Sequence, residues 1–256
     1  MLTSPTETQV KPGEIPLPEP QEASLFLDFD GTLVDLGPTP DGIEVPGDLP
    51  DLLRRLQLAT SGRVVIVTGR SVASLIRHLD LDSLHVVGAH GAESQRGGIV
   101  RSHRLAGSAV VHAAHRAAAD FAKARSGLLV ETKPTGVVLH YRAAPGLAGE
   151  VQRFVAGLAA ALDGLEFHQS KCACELRPDD TSKDRAVAEL MADPAFSAST
   201  PIYVGDDATD EPALALVERS GGVAVKVGEG ETAASWRLPD PAAVRTMLWA
   251  WAERTR

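Results

Sequence analysis

Short apolar runs, "SLFLDFD", "RVVIVTGR", "LHVVGAHG", "PIYVGDD" and "GGVAVKVG", recur along the chain. They are nearly continuous and mostly β-branched, as strands buried on both faces must be. Helix-like segments alternate with them: Pro50–Ala59 after the turn at Gly47–Asp48, Val72–Leu79, Lys183–Met191 and Glu211–Glu218. That alternation predicts an α/β fold, a parallel sheet with helices on both sides. In such sheets ligands bind beyond the carboxyl ends of the strands. Three runs end in polar signatures, Asp28/Asp30, Thr68–Gly69–Arg70 and Gly205–Asp206–Asp207, and all three are expected at one edge.

The stretch from about Ala92 to Glu175 reads differently. It offers an Ala-rich helix (Ser108–Ala124), a strand "GVVLHYR", a second helix (Leu147–Leu162) and the strand-like "FHQSKCACEL". We expect an inserted, smaller α/β domain at 92–177, inside a core made of 23–91 and 178–256. Prolines 5, 12, 16, 18 and 20 predict a disordered or extended lead-in at 1–22. That lead-in lacks the apolar centre of a signal peptide. No apolar run approaches the roughly 20 residues that span a bilayer.

With 256 residues and a formal charge of −9, the chain has no long basic run, which disfavours nucleic acid. Cys172 and Cys174 make poor disulfide partners at this spacing and read as small buried hydrophobes in a reducing compartment. A cytoplasmic protein, with a monomer as the default, is the expectation.

Asp28 and Asp30 are two apart, so on an extended chain both carboxylates leave from one face. Two acids that close repel unless a positive charge lies between them. An EF-hand is excluded, because its sixth position would be Leu33 and its twelfth Thr39. "GEGETA" fits G-x-G-x-x-A, but too little chain follows for a dinucleotide-binding unit. "HAAH" (His112, His115) lacks an evident third metal ligand and reads as a surface stripe. Taken singly, "GDDATDE" is also an acidic helix start and "TSKDRAVAEL" a capped amphipathic helix.

Together and in order, "DFDGT", "TGR", "TSKDRA" and "GDDATDE" resemble the four motifs of the haloacid dehalogenase superfamily of phosphotransferases. "GAHGAE", "VETKPTGVVLHYR", "KCACELRPDDTSK", "VGDDATDE" and "VKVGEGETAASWRL" are similar to segments of its bacterial trehalose-6-phosphate phosphatases, over about Leu25 to Trp249. The resemblance implies a Rossmann-like core with a cap domain, and hydrolysis of trehalose 6-phosphate, with a phosphatase or phosphomutase of the same superfamily acting on another sugar phosphate as the alternative. It also implies Mg²⁺ held by Asp28, the Asp30 carbonyl, Asp206 and Asp207, with Asp210 behind them. A phosphate dianion about 4 Å from Asp28 would otherwise meet roughly 8 kcal/mol of repulsion.

By the same resemblance Asp28 is the nucleophile and Asp30 the general acid and base. Thr68 would give its hydroxyl and backbone N–H to a phosphoryl oxygen, and Lys183 would screen the shared charge. Gly31 permits a sharp turn and close approach of backbone to ligand. Glu131, Lys133 and Glu175 of the insert would bind sugar hydroxyls. The insert would close over the site as a lid. His140 and Arg142 brace the inserted sheet or touch ligand. Gly69, Arg70, His90 and Glu93 stand near strand ends, where they contact substrate or fix loops. Asp184 replaces the glycine usual after the lysine and sets negative charge beside Lys183.

Overall fold

The computed structural model describes residues 15–37, 42–79, 83–170 and 172–254. Residues 1–14 of the expected lead-in lie outside these. The first strand, β1 (Ala23–Leu27), is followed by α1 (Leu49–Ala59), β2 (Val64–Val67), α2 (Val72–Leu79), β3 (His85–Gly88), β4 (Glu93–Arg96) and β5 (Ile99–Ser102). Next come α3 (Ala109–Lys123), β6 (Leu129–Lys133), β7 (Gly136–His140), α4 (Ala148–Ala161), β8 (Leu165–Ser170) and β9 (Ala173–Pro178). The last elements are α5 (Lys183–Ala192), β10 (Thr200–Gly205), α6 (Glu211–Arg219), β11 (Val223–Val227), β12 (Trp236–Leu238) and α7 (Pro241–Ala252). The chain divides into two compact units, one running to Ile99 and resuming at Ser182, the other Val100–Thr181.

An eight-stranded sheet has the order β12-β11-β10-β1-β2-β3-β4-β5. From β12 to β3 neighbouring strands are parallel, and β4 joins β3 antiparallel. The chain winds outward from β1 through β2 to β3, and later from β10 through β11 to β12 in the other direction. Its direction therefore reverses between β1 and β10, which is where such sheets open a crevice at their carboxyl edge. Burial explains the continuous apolar runs. Leu25 and Leu27 join Ile66, Val204 and residues of α1, α2 and α7 on one face, while Phe26 joins Val65, Tyr203 and residues of α6 on the other.

Strands β4, β5, β6 and β12 and helix α7 fall outside the sequence expectations; β4 and β5, from the stretch expected as insert, extend the core sheet, and the single run "FHQSKCACEL" divides into β8 and β9. The signal for α7 was present. Asp240 caps it by accepting from the Ala243 N–H at 2.8 Å, Pro241 follows the cap, and Val244, Met247, Leu248 and Trp251 recur at helical spacing on the buried side. Residues 15–22 run extended into a short 3₁₀ turn at Pro20–Glu22 and are fastened to the core. Ile15 and Leu17 are buried with Trp251, whose indole N–H donates to the Pro18 carbonyl at 2.7 Å.

Below the sheet, His85 starts β3 against Phe196 and near Arg96, which pairs with Asp193 at 2.8 Å. Burial, and then Arg96, push its imidazole down to about 4. An imidazole depressed in the fold favours the folded state above its ordinary pKa near 6.5, and that advantage disappears as pH falls through about 4. His85→Gln is therefore expected to flatten the fall of Tm between pH 6.5 and 4, by the equivalent of about 3 kcal/mol. Parallel wild-type and variant melting curves across that range would contradict this.

In the second unit a four-stranded antiparallel sheet has the order β6-β7-β9-β8. One face is apolar, with Val137, Leu139, Cys174 and Leu176 packed among Val111, Ala114, Val151 and Val155 of α3 and α4. The other carries Glu131, Val138, Glu175 and His168 in one cross-strand row. Cys174 behaves as the buried hydrophobe expected, its thiol pushed up to about 11 by burial, while Cys172 is half-buried; both are free. His112 is exposed as expected, but His115 is half-buried and held. Its Nε2 donates to the Lys133 and Gly136 carbonyls at 3.1 and 2.8 Å, holding the β6–β7 turn to α3.

Candidate active site

Asp28 follows β1 directly, and its N–H still pairs with the Val204 carbonyl, so the carboxylate stands where the strand leaves the sheet. It is buried. Lys183 Nζ, at the start of α5, donates to Asp28 Oδ1 at 2.7 Å and to Asp210 Oδ1 at 2.7 Å. The Thr32 hydroxyl reaches Asp28 Oδ2 at 3.3 Å. Tyr203 of β10 donates its hydroxyl to Asp210 Oδ1 at 2.6 Å. Sequence reasoning missed Thr32 and Tyr203. Thr32 lies inside "DFDGT" and was open to notice, whereas Tyr203 carried only the general rule that a buried tyrosine hydroxyl finds a partner.

The electrostatics follow from burial. Asp28 is pushed well above the usual carboxylate range by desolvation and by Asp210, against the pull of Lys183. Asp206 is raised to about 6 by burial and then by Asp210. For Lys183 burial alone would lower the pKa, but Asp210 and Asp28 overcome it and hold the ammonium charged. One ammonium thus serves several crowded acids, and the acids remain short of positive charge.

A divalent cation fits that deficit. Asp28, Asp206 and Asp210 each offer an oxygen within 4.8 Å of the others. Asp206 Oδ1 is buried without a hydrogen-bond partner. An all-carboxylate donor set suits a hard ion such as Mg²⁺. The third carboxylate in this group is Asp210, whereas Asp207, expected as a ligand, is exposed and gives its N–H to Asp210 Oδ2 at 3.0 Å. Gly31 has φ +79, and a Cβ there would lie 2.1 Å from Asp206 Oδ2. The backbone turn and the acid occupy the same space only because that side chain is absent.

Asp30 is placed differently from Asp28. Arg70, expected on substrate or fixing a loop, clasps the Asp30 carboxylate with two parallel bonds, Nε to Oδ2 at 2.7 Å and Nη2 to Oδ1 at 2.6 Å. Thr68 is buried after β2, with its hydroxyl accepting from the Arg70 N–H at 3.1 Å, which leaves the hydroxyl hydrogen to donate. Its backbone N–H, expected on phosphate, is already bonded to the Val87 carbonyl at 2.8 Å, because the β2–β3 ladder continues through it. That expectation is corrected. His90, at φ 55, lays its ring over Gly69, where a Cβ would meet His90 Nε2 at 2.6 Å. Glu93 fixes a loop: its carboxylate accepts from the Val72 N–H at 2.7 Å, at the start of α2. Asp184 takes its place in the first turn of α5, favoured by the helix dipole, while Lys183 turns inward.

In the second unit Lys133 Nζ and Glu175 Oε1 are 2.6 Å apart, both side chains nine-tenths buried. Glu131 accepts from His140 Nε2 at 2.8 Å, and that bond, opposed by burial and aided by Lys133, holds its carboxyl below the usual range. Arg142 is exposed past β7. "GEGETA" is a loop whose Gly228 and Gly230 carbonyls accept from Arg237.

The profile of the Trehalose-phosphatase family matches residues 26–242. The chain is 33% identical over 252 residues to the trehalose-6-phosphate phosphatase of Escherichia coli (strain K12), covering 93% of this chain and 90% of that one. A crystal structure of a trehalose-6-phosphate phosphatase related protein superposes with a TM-score of 0.76 at 27% identity, over 90% of this chain and 97% of the other. The C-terminal domain of the C. albicans trehalose-6-phosphate phosphatase shares the fold at a TM-score of 0.79 and 21% identity, over 91% and 92% of the two chains. No helix among the described residues is long and apolar enough to cross a membrane. A Rossmann-like sheet with acids gathered at its reversal point, a separate antiparallel insert, and a family match across most of the sequence lead to one assignment: the chain belongs to the trehalose-phosphatase family of the haloacid dehalogenase superfamily.

Proposed function

We propose that the protein hydrolyses trehalose 6-phosphate to trehalose and phosphate through a phosphoryl group carried on Asp28. The observation that supports this most is the setting of that carboxylate, which is buried at a strand end between Lys183 and Thr32 with Asp206 and Asp210 close by. Asp28, Asp206 and the Asp30 carbonyl would hold Mg²⁺; Asp210, whose oxygens already accept from Lys183, Tyr203 and the Asp207 N–H, would add negative charge behind them, with Asp207. The ion supplies positive charge that lets an anionic carboxylate and an anionic ester approach.

Asp28 attacks phosphorus in line, and the sugar oxygen leaves with a proton from Asp30. Asp30 first turns out of the Arg70 clasp, and on its return half-cycle takes a proton from the water that cleaves the acyl phosphate. Thr68 donates its free hydroxyl hydrogen to a phosphoryl oxygen, and Lys183 balances the negative charge as it passes from Asp28 to the phosphoryl oxygens of the acyl phosphate. Glu131, Lys133 and Glu175 are assigned to sugar hydroxyls. Their opposite charges donate and accept as hydroxyls require.

The test is phosphate release from a panel of sugar phosphates and an aryl phosphate, with and without a chelator. Trehalose 6-phosphate should lead the panel, and chelation should abolish turnover on every substrate. A different sugar phosphate in first place would move the substrate assignment. Full activity in excess chelator would remove the metal.

A further inference from the structure

The roles above leave buried Lys226 and half-buried Glu211 of the first unit without a function. They belong to segments that carry the family resemblance, "VKVGEGETAASWRL" and "VGDDATDE". Lys226 sits on β11 opposite Gly205 of β10, the residue before Asp206, and its side chain is 4% exposed. A lysine that buried requires a reason, because desolvating an ammonium is costly unless polar partners replace water. Its Nζ donates to the backbone carbonyl of Asp206 and stands 3.5 Å from Glu211 Oε1.

The same peptide is gripped from its other polar atom. The Asp207 N–H donates to the buried Asp210 Oδ2 at 3.0 Å. The peptide joining Asp206 to Asp207 is therefore held between an ammonium at its oxygen and a carboxylate at its nitrogen, so it has little freedom to rotate. Glu211 continues the clamp outward. Its Oε2 accepts from the Thr232 hydroxyl at 3.2 Å and from the Ala233 N–H at 2.9 Å, fastening the loop after β11 to the start of α6.

We infer that Lys226 is a positioning residue for the acidic cluster: it fixes the peptide carrying Asp206, and thereby presets that carboxylate for a divalent cation. This rests on the proposal that Asp206 is a metal ligand. The orphaned Asp206 Oδ1 and the tight contact with Gly31 give the geometry something to preset, since a small rotation of the peptide would drive the carboxylate into the turn or away from Asp28. Groups that orient metal ligands typically change metal affinity by about 10–100-fold when removed.

Direct Mn²⁺ binding to the full chain, measured without substrate from the signal of free Mn²⁺, tests this. K226M should raise the dissociation constant about 10–100-fold, and K226R should recover most of the loss. Turnover by K226M should rise toward wild type as metal is added. Wild-type Mn²⁺ affinity in K226M, even with a lowered Tm, would overturn the inference and leave Lys226 a structural residue. If K226M does not fold, E211Q is read instead. Affinity weakened several-fold supports the clamp, and unchanged affinity overturns it. D206N separates the two layers: if it binds Mn²⁺ as wild type does, the metal-ligand proposal itself fails. If only D206N weakens binding, the role of Lys226 alone is lost.

Discussion

Asp28→Asn should reduce phosphate release by at least about 10⁴-fold on every substrate, because the amide cannot attack phosphorus. The substitution keeps shape and volume, so the β1 edge and its ladder bond to Val204 remain. Stability should change little. The variant removes a buried carboxylate that is expensive to ionise, and Lys183 keeps Asp210 as a partner at 2.7 Å. The measurement is single-turnover phosphate release beside a thermal melt. Residual turnover within tenfold of wild type, in a folded variant, would end the assignment of Asp28 as nucleophile.

Lys183→Met should have the second largest effect, and on two quantities at once. Its ammonium is the charge that makes Asp28 and Asp210 tolerable side by side at 4% and 0% exposure. Removing one partner of a buried ion pair generally costs about 3–5 kcal/mol. Tm should therefore drop by many degrees, and by more at alkaline than at mildly acidic pH, since protonating the stranded acids relieves their repulsion. Turnover should fall by about 10²–10³-fold beyond any loss of folded protein, the usual effect of deleting one donor to a developing charge. An unchanged Tm would mean that the acids are balanced by something other than Lys183. Unchanged turnover in the folded fraction would remove the lysine from the chemistry.

Much of the core was readable because its signals are local. Runs such as "RVVIV" and "PIYVG" are strands buried on both faces, and a chain cannot hide such segments except in a covered sheet. The helices Val72–Leu79, Lys183–Ala192 and Glu211–Arg219 lie within one residue of the helix-like segments expected between the strand runs. Strand ends at Asp28, Thr68 and Asp206 followed from the rule that ligands gather at the carboxyl edge. The errors lie where a group has two possible partners. Thr68 N–H was given to phosphate although the ladder had already taken it, and Arg70 was left between substrate and loop because its partner Asp30 lies 40 positions away in sequence. His115 was read as surface because its acceptors, the Lys133 and Gly136 carbonyls, lie 18 and 21 positions further along the chain.

The sequence by itself determined the alternation of strands and helices and the set of acids and lysine brought to one edge. Hydrophobic period and chain order are properties of short windows, so they survive without coordinates. Only the tertiary structure decided which charges meet: Asp210 rather than Asp207 beside Asp28, Arg70 on Asp30, and Lys226 on the Asp206 carbonyl. Those pairings depend on strand register and on angles between elements far apart in sequence, and hydrogen bonds discriminate over tenths of an ångström that no spacing rule encodes.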